Sequence, residues 1–420
     1  MKKHYLLSFV ILFAVVFASC APAAAPAEEA PAVEEEAPAE EAAISGEPEV
    51  CASDAYGCAK IEAGQTVKIG MGSPMTGGDS GFGIDAENSG LLAVAAAGDF
   101  EGWSFELMAE DDQGVPEGGA AVANKLAADP TVVGVAGHLF SGATASAIPI
   151  YDAVGIPMLS PSATNPDLTK LGFAVFNRIP FTDATQSDAA ADYIYNTLGF
   201  RTIAVLHDGE DYGKGLATLL KAAFEALGGE VVVFEGITSK EADYTPILTT
   251  IAAKSPELIY FGGYTQDGAV LTNQMKSTGL EDAVFFGCDG TYGVDFLDRA
   301  GDNAEGSYHS MMRTPPESDE KAKFDSDYLA AYGMGPGELS PFSWNSYDCT
   351  TALIKKAKEV AVVGDDGALY VPRGAMVDGI RGLTEYVGIS GTFSCDDVGE
   401  CNVEGPQFVT VTDGEFVPVN

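Results

Sequence analysis

The sequence predicts an α/β protein of two lobes, each a doubly wound parallel sheet. Three observations carry that reading. Short, almost wholly apolar runs of strand length alternate with segments of helical spacing, as parallel strands covered on both faces require. The alternation occurs twice, with breaks near 178–185 and 311–316. The chain from Thr66 onward, about 355 residues, also exceeds what one hydrophobic core usually serves.

Taken in order, 67–72 (VKIGMG) reads as a strand and 84–97 (IDAENSGLLAVAAA) as a helix. Residues 103–108 are a strand, 120–128 a helix, and 132–136 a strand. A helix over 143–154 and a strand at 157–159 complete the first set. The second set begins with a strand at 202–206 (TIAVL), a helix at 214–227 and a strand at 230–234. It continues with helix 246–253, strand 258–261, helix 268–277 and strand 283–286.

The N-terminal region has a different composition. Lys2 and Lys3 precede an apolar run over 5–18 interrupted only by Ser8, the build of a secretory signal peptide and too short to span a membrane comfortably. Phe17-Ala18-Ser19-Cys20 resembles the lipobox of bacterial lipoproteins, which makes 1–19 the signal and Cys20 the lipidated residue. Ordinary cleavage nearby, leaving Cys20 unmodified, is the alternative. Residues 21–50 hold nine glutamates and no lysine or arginine, in a background of Ala, Pro, Val, Ile, Ser and Gly. Such a stretch cannot bury enough apolar surface to offset its ordering entropy. The expectation is a disordered acidic spacer, bounded with Cys20 at 20–65, that holds the folded part away from a membrane.

Sixty-two acidic against 22 basic residues give a net charge of −40, which argues against nucleic acid or an anionic membrane surface as partner. Besides Cys20 there are six cysteines. Cys51 and Cys58 are seven apart, and Cys395 and Cys401 flank a turn-like Asp-Asp-Val-Gly-Glu; each pair is placed to close a short local disulfide. Neither spacing suits a metal site and no histidine lies near. Cys288 and Cys349 have no close sequence partner.

Candidate binding residues gather at strand ends. Ser141, Gly142, Ala143 and Thr144 follow the strand at 132–136, and Ser160, Ser162, Ala163 and Thr164 follow the strand at 157–159. Ligands of open parallel sheets bind beyond the carboxyl ends of the strands. A helix N-terminus there offers unpaired amides and about half a positive charge, enough to favour a carboxylate without arginine. Helix capping is the simpler account of any one of these serines. Two clusters at adjacent strand ends point to a site.

Six stretches then carry a resemblance: IGMGSPMTGGDSGFGID (69–85), DPTVVGVAGHLFSGAT (129–144), GIPMLSPSATNPDLT (155–169), IAVLHDGEDYGKGLA (203–217), YFGGYTQDGAVL (260–271) and FFGCDGTYG (285–293). From about Lys68 to Val419 the chain resembles the leucine/isoleucine/valine-binding protein family, the type I periplasmic solute-binding proteins of ABC importers. The resemblance implies that Ser141, Ser162, Ala163 and Thr164 hold a ligand's α-carboxylate and α-ammonium, with Tyr212 and Tyr264 beside them. It places a second-lobe acid for the ammonium at Asp289 and aromatic walls at Phe82 and Phe342. It further implies a three-stranded hinge, with crossings near Pro180, Arg313 and about Val403. The N-terminal lobe is then 66–180 plus 313–403 and the C-terminal lobe 181–312 plus 404–420. Those crossings put Cys288 and Cys349 in different lobes, so a bridge between them would impede release, and unpaired thiols are expected. Phe140 departs from the pattern, standing where several relatives carry a half-cystine.

Catalytic signatures are lacking: there is no GxSxG, HExxH or P-loop pattern, and GMGSPMTGGDSG misses the dinucleotide-binding spacing. His138 and His207 sit at strand ends, where structural hydrogen bonding is the commoner role. The expectation is an extracytoplasmic, lipid-anchored, monomeric receptor with no cofactor or metal. It closes on a small amino acid, branched-chain in type, and delivers it to an ABC permease. Amides, urea or aromatic acids as ligands, and a sensing role toward a receptor kinase, are the alternatives.

Overall fold

Apolar strand runs separated by glycine-bearing turns order the chain into two sheets. The computed structural model describes residues 46–401 and 405–419; the expected signal peptide, Cys20 and the crossing near Val403 lie outside them. The described strands begin with Cys58–Ile61 (β1), Val67–Ser73 (β2), Phe105–Asp111 (β3), Val132–Val135 (β4), Met158–Ser160 (β5) and Phe176–Arg178 (β6). They continue as Thr202–His207 (β7), Glu230–Gly236 (β8), Leu258–Gly262 (β9), Val284–Gly287 (β10) and Tyr308–Met311 (β11). Val362–Val363 (β12), Leu369–Pro372 (β13), Tyr386–Val387 (β14), Thr392–Phe393 (β15), Gln407–Thr412 (β16) and Glu415–Val419 (β17) follow.

The first lobe is built on a parallel sheet in the order β3-β2-β4-β5-β6. Its strand β2 is buried at every position but Lys68, which explains its largely apolar character. Gly72 is required there: a Cβ would fall 2.1 Å from the His138 ring. The second lobe has the order β17-β16-β11-β10-β9-β7-β8. Strands β7 to β11 are parallel, whereas β16 and β17 add an antiparallel edge to the expected parallel sheet. That edge hairpin turns at Asp413-Gly414, both at positive φ, as a two-residue hairpin turn prefers. In each sheet the strand order reverses beside the first strand, between β3 and β4 around β2 and between β8 and β9 around β7. Crevices at such switch points take ligands.

The helices Asp319–Tyr332, Ser343–Val360 and Arg373–Arg381 were not assigned from the sequence. Phe342, Leu353, Ile354 and Ala357 pack into the core that holds Ile69, Met71 and Leu159, so this stretch covers the first sheet. Buried Asp85 ties it down, accepting hydrogen bonds from Tyr328 Oη and Ser343 Oγ, both at 2.7 Å. Burial pushes the Asp85 carboxyl up to about 6.

One expectation is corrected. The spacer does not reach residue 65. Glu49–Ser53 is helical, β1 pairs with β13, which in turn pairs with β12, and a Cys51–Cys58 disulfide closes the segment onto itself. Sheet pairing and the disulfide supply the order that acidic composition hid. Cys395 and Cys401 are also bonded, while Cys288 and Cys349 are free, buried thiols in separate cores.

Candidate functional site

In the first lobe, β4 runs out at Val135 and the chain reaches Phe140, which caps the helix Ser141–Asp152 in an extended conformation. The first amides of this helix have no carbonyl one turn back to pair with. The neighbouring loop after β5 is stitched to it. Ser160 Oγ donates to the His138 carbonyl (2.6 Å) and accepts from the Ala163 amide (3.0 Å). Ser162 Oγ donates to the Leu139 carbonyl at 2.7 Å. Arg178, fully buried, donates from Nη1 to the carbonyls of Ala163 (3.1 Å) and Asn165 (2.7 Å) and pairs through Nε with Glu400 Oε2 (2.8 Å). The small hydroxyls thus do two jobs: Ser160 and Ser162 build the loop, and Ser141 and Ser162 also line the space described below.

The second lobe supplies the opposite charge. Asp289 opens a short 3-10 turn after β10 and is almost completely buried. Its Oδ1 accepts from Tyr212 Oη at 2.6 Å and from Gln186 Nε2 at 2.5 Å. Gln186 also donates to Ser310 Oγ at 2.9 Å, which fixes its amide. Burial raises the Asp289 carboxyl above its ordinary value, and the same burial lifts the Tyr212 phenol well above its own.

These groups meet in one small space lined by Phe82, Leu139, Phe140, Ser141, Ser162, Tyr212, Tyr264, Asp289, Gly290 and Phe342. Seven of the nine residues singled out from the sequence are among them. Phe82 stands 6.3 Å from both Phe342 and Tyr264, ring centre to ring centre, and Tyr264 stands 5.3 Å from Tyr212. Ala163 and Thr164 are not in the wall. Ala163 is packed in the core beneath, and Thr164 gives its carbonyl to the Asp183 amide at 3.0 Å.

Three lining residues were not among those singled out from the sequence, Leu139, Phe140 and Gly290, nor were Gln186 and Asp183 behind the wall. Asp183 begins the helix Asp183–Asp192. Both its carboxylate oxygens, like Thr164 Oγ1 and Gln186 Oε1, are buried without a hydrogen-bond partner among the described residues. Burial first, and the charge of Asp289 second, push the Asp183 carboxyl up to about 8. No motif marks it; only the fold brings it beside Asp289. His138 is internal, with Nδ1 at 2.7 Å from Asp112 and Nε2 at 3.0 Å from Tyr151 Oη. His207 Nδ1 accepts from the Gly209 amide at 3.1 Å within its own turn. Neither histidine lines the space.

Comparison with known proteins agrees with this arrangement. A family model described as periplasmic binding protein matches residues 66–404. The leucine-, isoleucine-, valine-, threonine- and alanine-binding protein of Pseudomonas aeruginosa is 34% identical over 296 residues, 70% of this chain and 78% of that protein. The Leu/Ile/Val-binding protein of Escherichia coli K12 is 28% identical over 314 residues, 74% of this chain and 84% of its own. Among solved structures, the leucine binding protein LivK of Thermotoga maritima superposes with a TM-score of 0.77 at 24% identity, covering 84% of this chain and 98% of that one. LivJ of Streptococcus pneumoniae, a branched-chain amino acid transporter substrate binding protein in complex with isoleucine, gives 0.74 at 26% identity, covering 84% and 100%. These relatives are solute-binding proteins, not enzymes, and the fold is the type I arrangement of two lobes. No helix among the described residues is long and apolar enough to cross a membrane. The chain belongs to the leucine/isoleucine/valine-binding family of periplasmic binding proteins.

Proposed function

We propose that this protein captures a small aliphatic α-amino acid between its lobes, outside the cytoplasmic membrane, and delivers it to an ABC permease while tethered through a lipid on Cys20. One observation carries the reading. A helix N-terminus at Ser141 and a buried carboxylate at Asp289, from opposite lobes, face a single space whose remaining wall is largely aromatic. An α-amino acid presents a carboxylate and an ammonium about one carbon apart, and each suits one of these ends. A charge-assisted hydrogen bond contributes about 1.5–3 kcal/mol net, and lobe closure supplies the water exclusion that makes it count. The aromatic wall suits an apolar side chain.

Thermal-shift measurements against the twenty amino acids and small amides test this. Stabilisation by alanine or a branched-chain amino acid, abolished in Asp289→Ala and in Ser141→Ala, is the expected result. Stabilisation by urea or an aromatic acid and by no amino acid overturns the ligand class. For the tether, incorporation of labelled palmitate into the wild-type chain, lost in Cys20→Ser, is expected; equal labelling of both removes the anchor.

A further inference from the structure

Phe140 lies where the two lobes meet. Its ring stacks on Tyr264 of the second lobe with centres 3.9 Å apart and planes within 13°, and Phe82 approaches it edge-on at 5.6 Å. Behind it is Gly114, held at φ +68°, a conformation glycine adopts readily. A Cβ on Gly114 would fall 2.5 Å from Phe140 Cδ2, so the ring is seated against bare backbone. The first lobe therefore builds the slot that fixes this ring, one residue before the helix start at Ser141. With Phe140 in place, the space shared by Ser141, Asp289 and the aromatic wall is about 10 Å³, at the threshold for a single water molecule.

We propose that Phe140 is a specificity-determining residue that takes the room a ligand's side chain would use, so that this protein prefers glycine and alanine to valine, and valine to leucine. The inference rests on the amino-acid reading above and narrows it. Any ligand has to enlarge this space, and the longer its side chain, the further it must push the ring out of the Gly114 slot or part it from Tyr264.

The test is calorimetric titration of glycine, alanine, valine and leucine into the wild-type protein, Phe140→Ala and Phe140→Leu. Wild type is expected to bind alanine about tenfold or more tighter than leucine, the scale on which a methylene is discriminated in an apolar pocket. Phe140→Ala should reverse that order, with leucine gaining about tenfold or more, and Phe140→Leu should fall between. The leucine variant keeps the core filled, so the ranking can be read even if the alanine variant does not fold. Leucine bound as tightly as alanine by wild type, or a ranking unchanged by both substitutions, overturns the proposal while the amino-acid reading stands. Failure of every amino acid to bind any form removes that reading, and this proposal with it.

Discussion

Asp183 and Asp289 are two carboxyls in one dry neighbourhood, and their interaction has a measurable consequence. Asp183 is held at about 8 by burial and by the negative charge of Asp289, so at pH 7 it carries its proton. An ammonium group delivered to Asp289 cancels that second influence and lowers the Asp183 value toward neutrality. Ligand uptake near pH 7 should therefore release a fraction of a proton. Titrations in buffers of different ionisation enthalpy will show it as a buffer-dependent heat, and Asp183→Asn should reduce that dependence; no buffer effect in wild type would refute the coupling. Asp289→Asn should itself weaken amino-acid binding by about 1.5–3 kcal/mol, roughly 10- to 150-fold, through loss of the charge-assisted bond. Nothing in the residue order around Asp183 announces this role, because its partner is 106 positions away by subtraction of the two residue numbers and joins it only through the fold.

At the scale of elements, legibility followed hydrophobic continuity. Strands β2, β4, β7 and β9 are buried on both faces, so their sequences are predominantly apolar and stand out. The helix Ser343–Val360 does not stand out, because it buries Ser343, Asn345, Ser346, Asp348 and Thr350 among its apolar residues. Three of these polar groups, Ser343, Asn345 and Asp348, find partners far off in sequence, as where Asp348 accepts from the Ile389 and Ser390 amides at 2.9 and 2.7 Å. Loops at the site show the same limit: the small-residue cluster after β5 is visible, but the side chain that holds it is not. Arg178 reaches the carbonyls of Ala163 and Asn165 only because Glu400, beside the Cys395–Cys401 bridge, neutralises it in a buried setting. Glu400→Gln leaves that guanidinium without its counter-charge and should destabilise the protein by about 3–5 kcal/mol. The loss should come with weaker ligand binding, since the loop bearing Ser162 loses its support. Chemical denaturation combined with ligand titration checks both, and a drop in stability with affinity untouched would show that Arg178 does not position the loop.

For the whole molecule, the sign of the buried charges governs its response to pH. Burial raises Asp79, Asp85 and Asp348 to about 6, Asp208 to about 7 and Asp183 to about 8, all well above the value of an unfolded aspartate. A carboxyl with a raised folded value takes up a proton on folding, so its contribution is fully present at low pH and is lost as pH rises through the folded value. Folding stability from this set therefore grows as pH falls from about 8 to about 4, where the unfolded aspartates protonate as well. The net charge of −40 adds to the trend, because protonation relieves repulsion across the surface. Histidine works the other way. His309, buried and neutral with its value lowered to about 3, resists the proton that the unfolded chain accepts below about 6.5. The aspartates held below their ordinary range, Asp111 and Asp129 among them, begin to lose their contribution only in more acidic solution. Melting temperature should accordingly climb from about pH 8 to a maximum near pH 4–5 and then decline. Asp183→Asn and Asp208→Asn should each flatten the alkaline limb, since neither amide titrates, and added salt should raise the melting temperature most at pH 8, where repulsion is greatest. A melting temperature that instead rose steadily from pH 6 to 8 would mean that these carboxyls are solvated in the folded state, and with them the enclosed, water-poor crevice on which capture of a zwitterion depends would be lost.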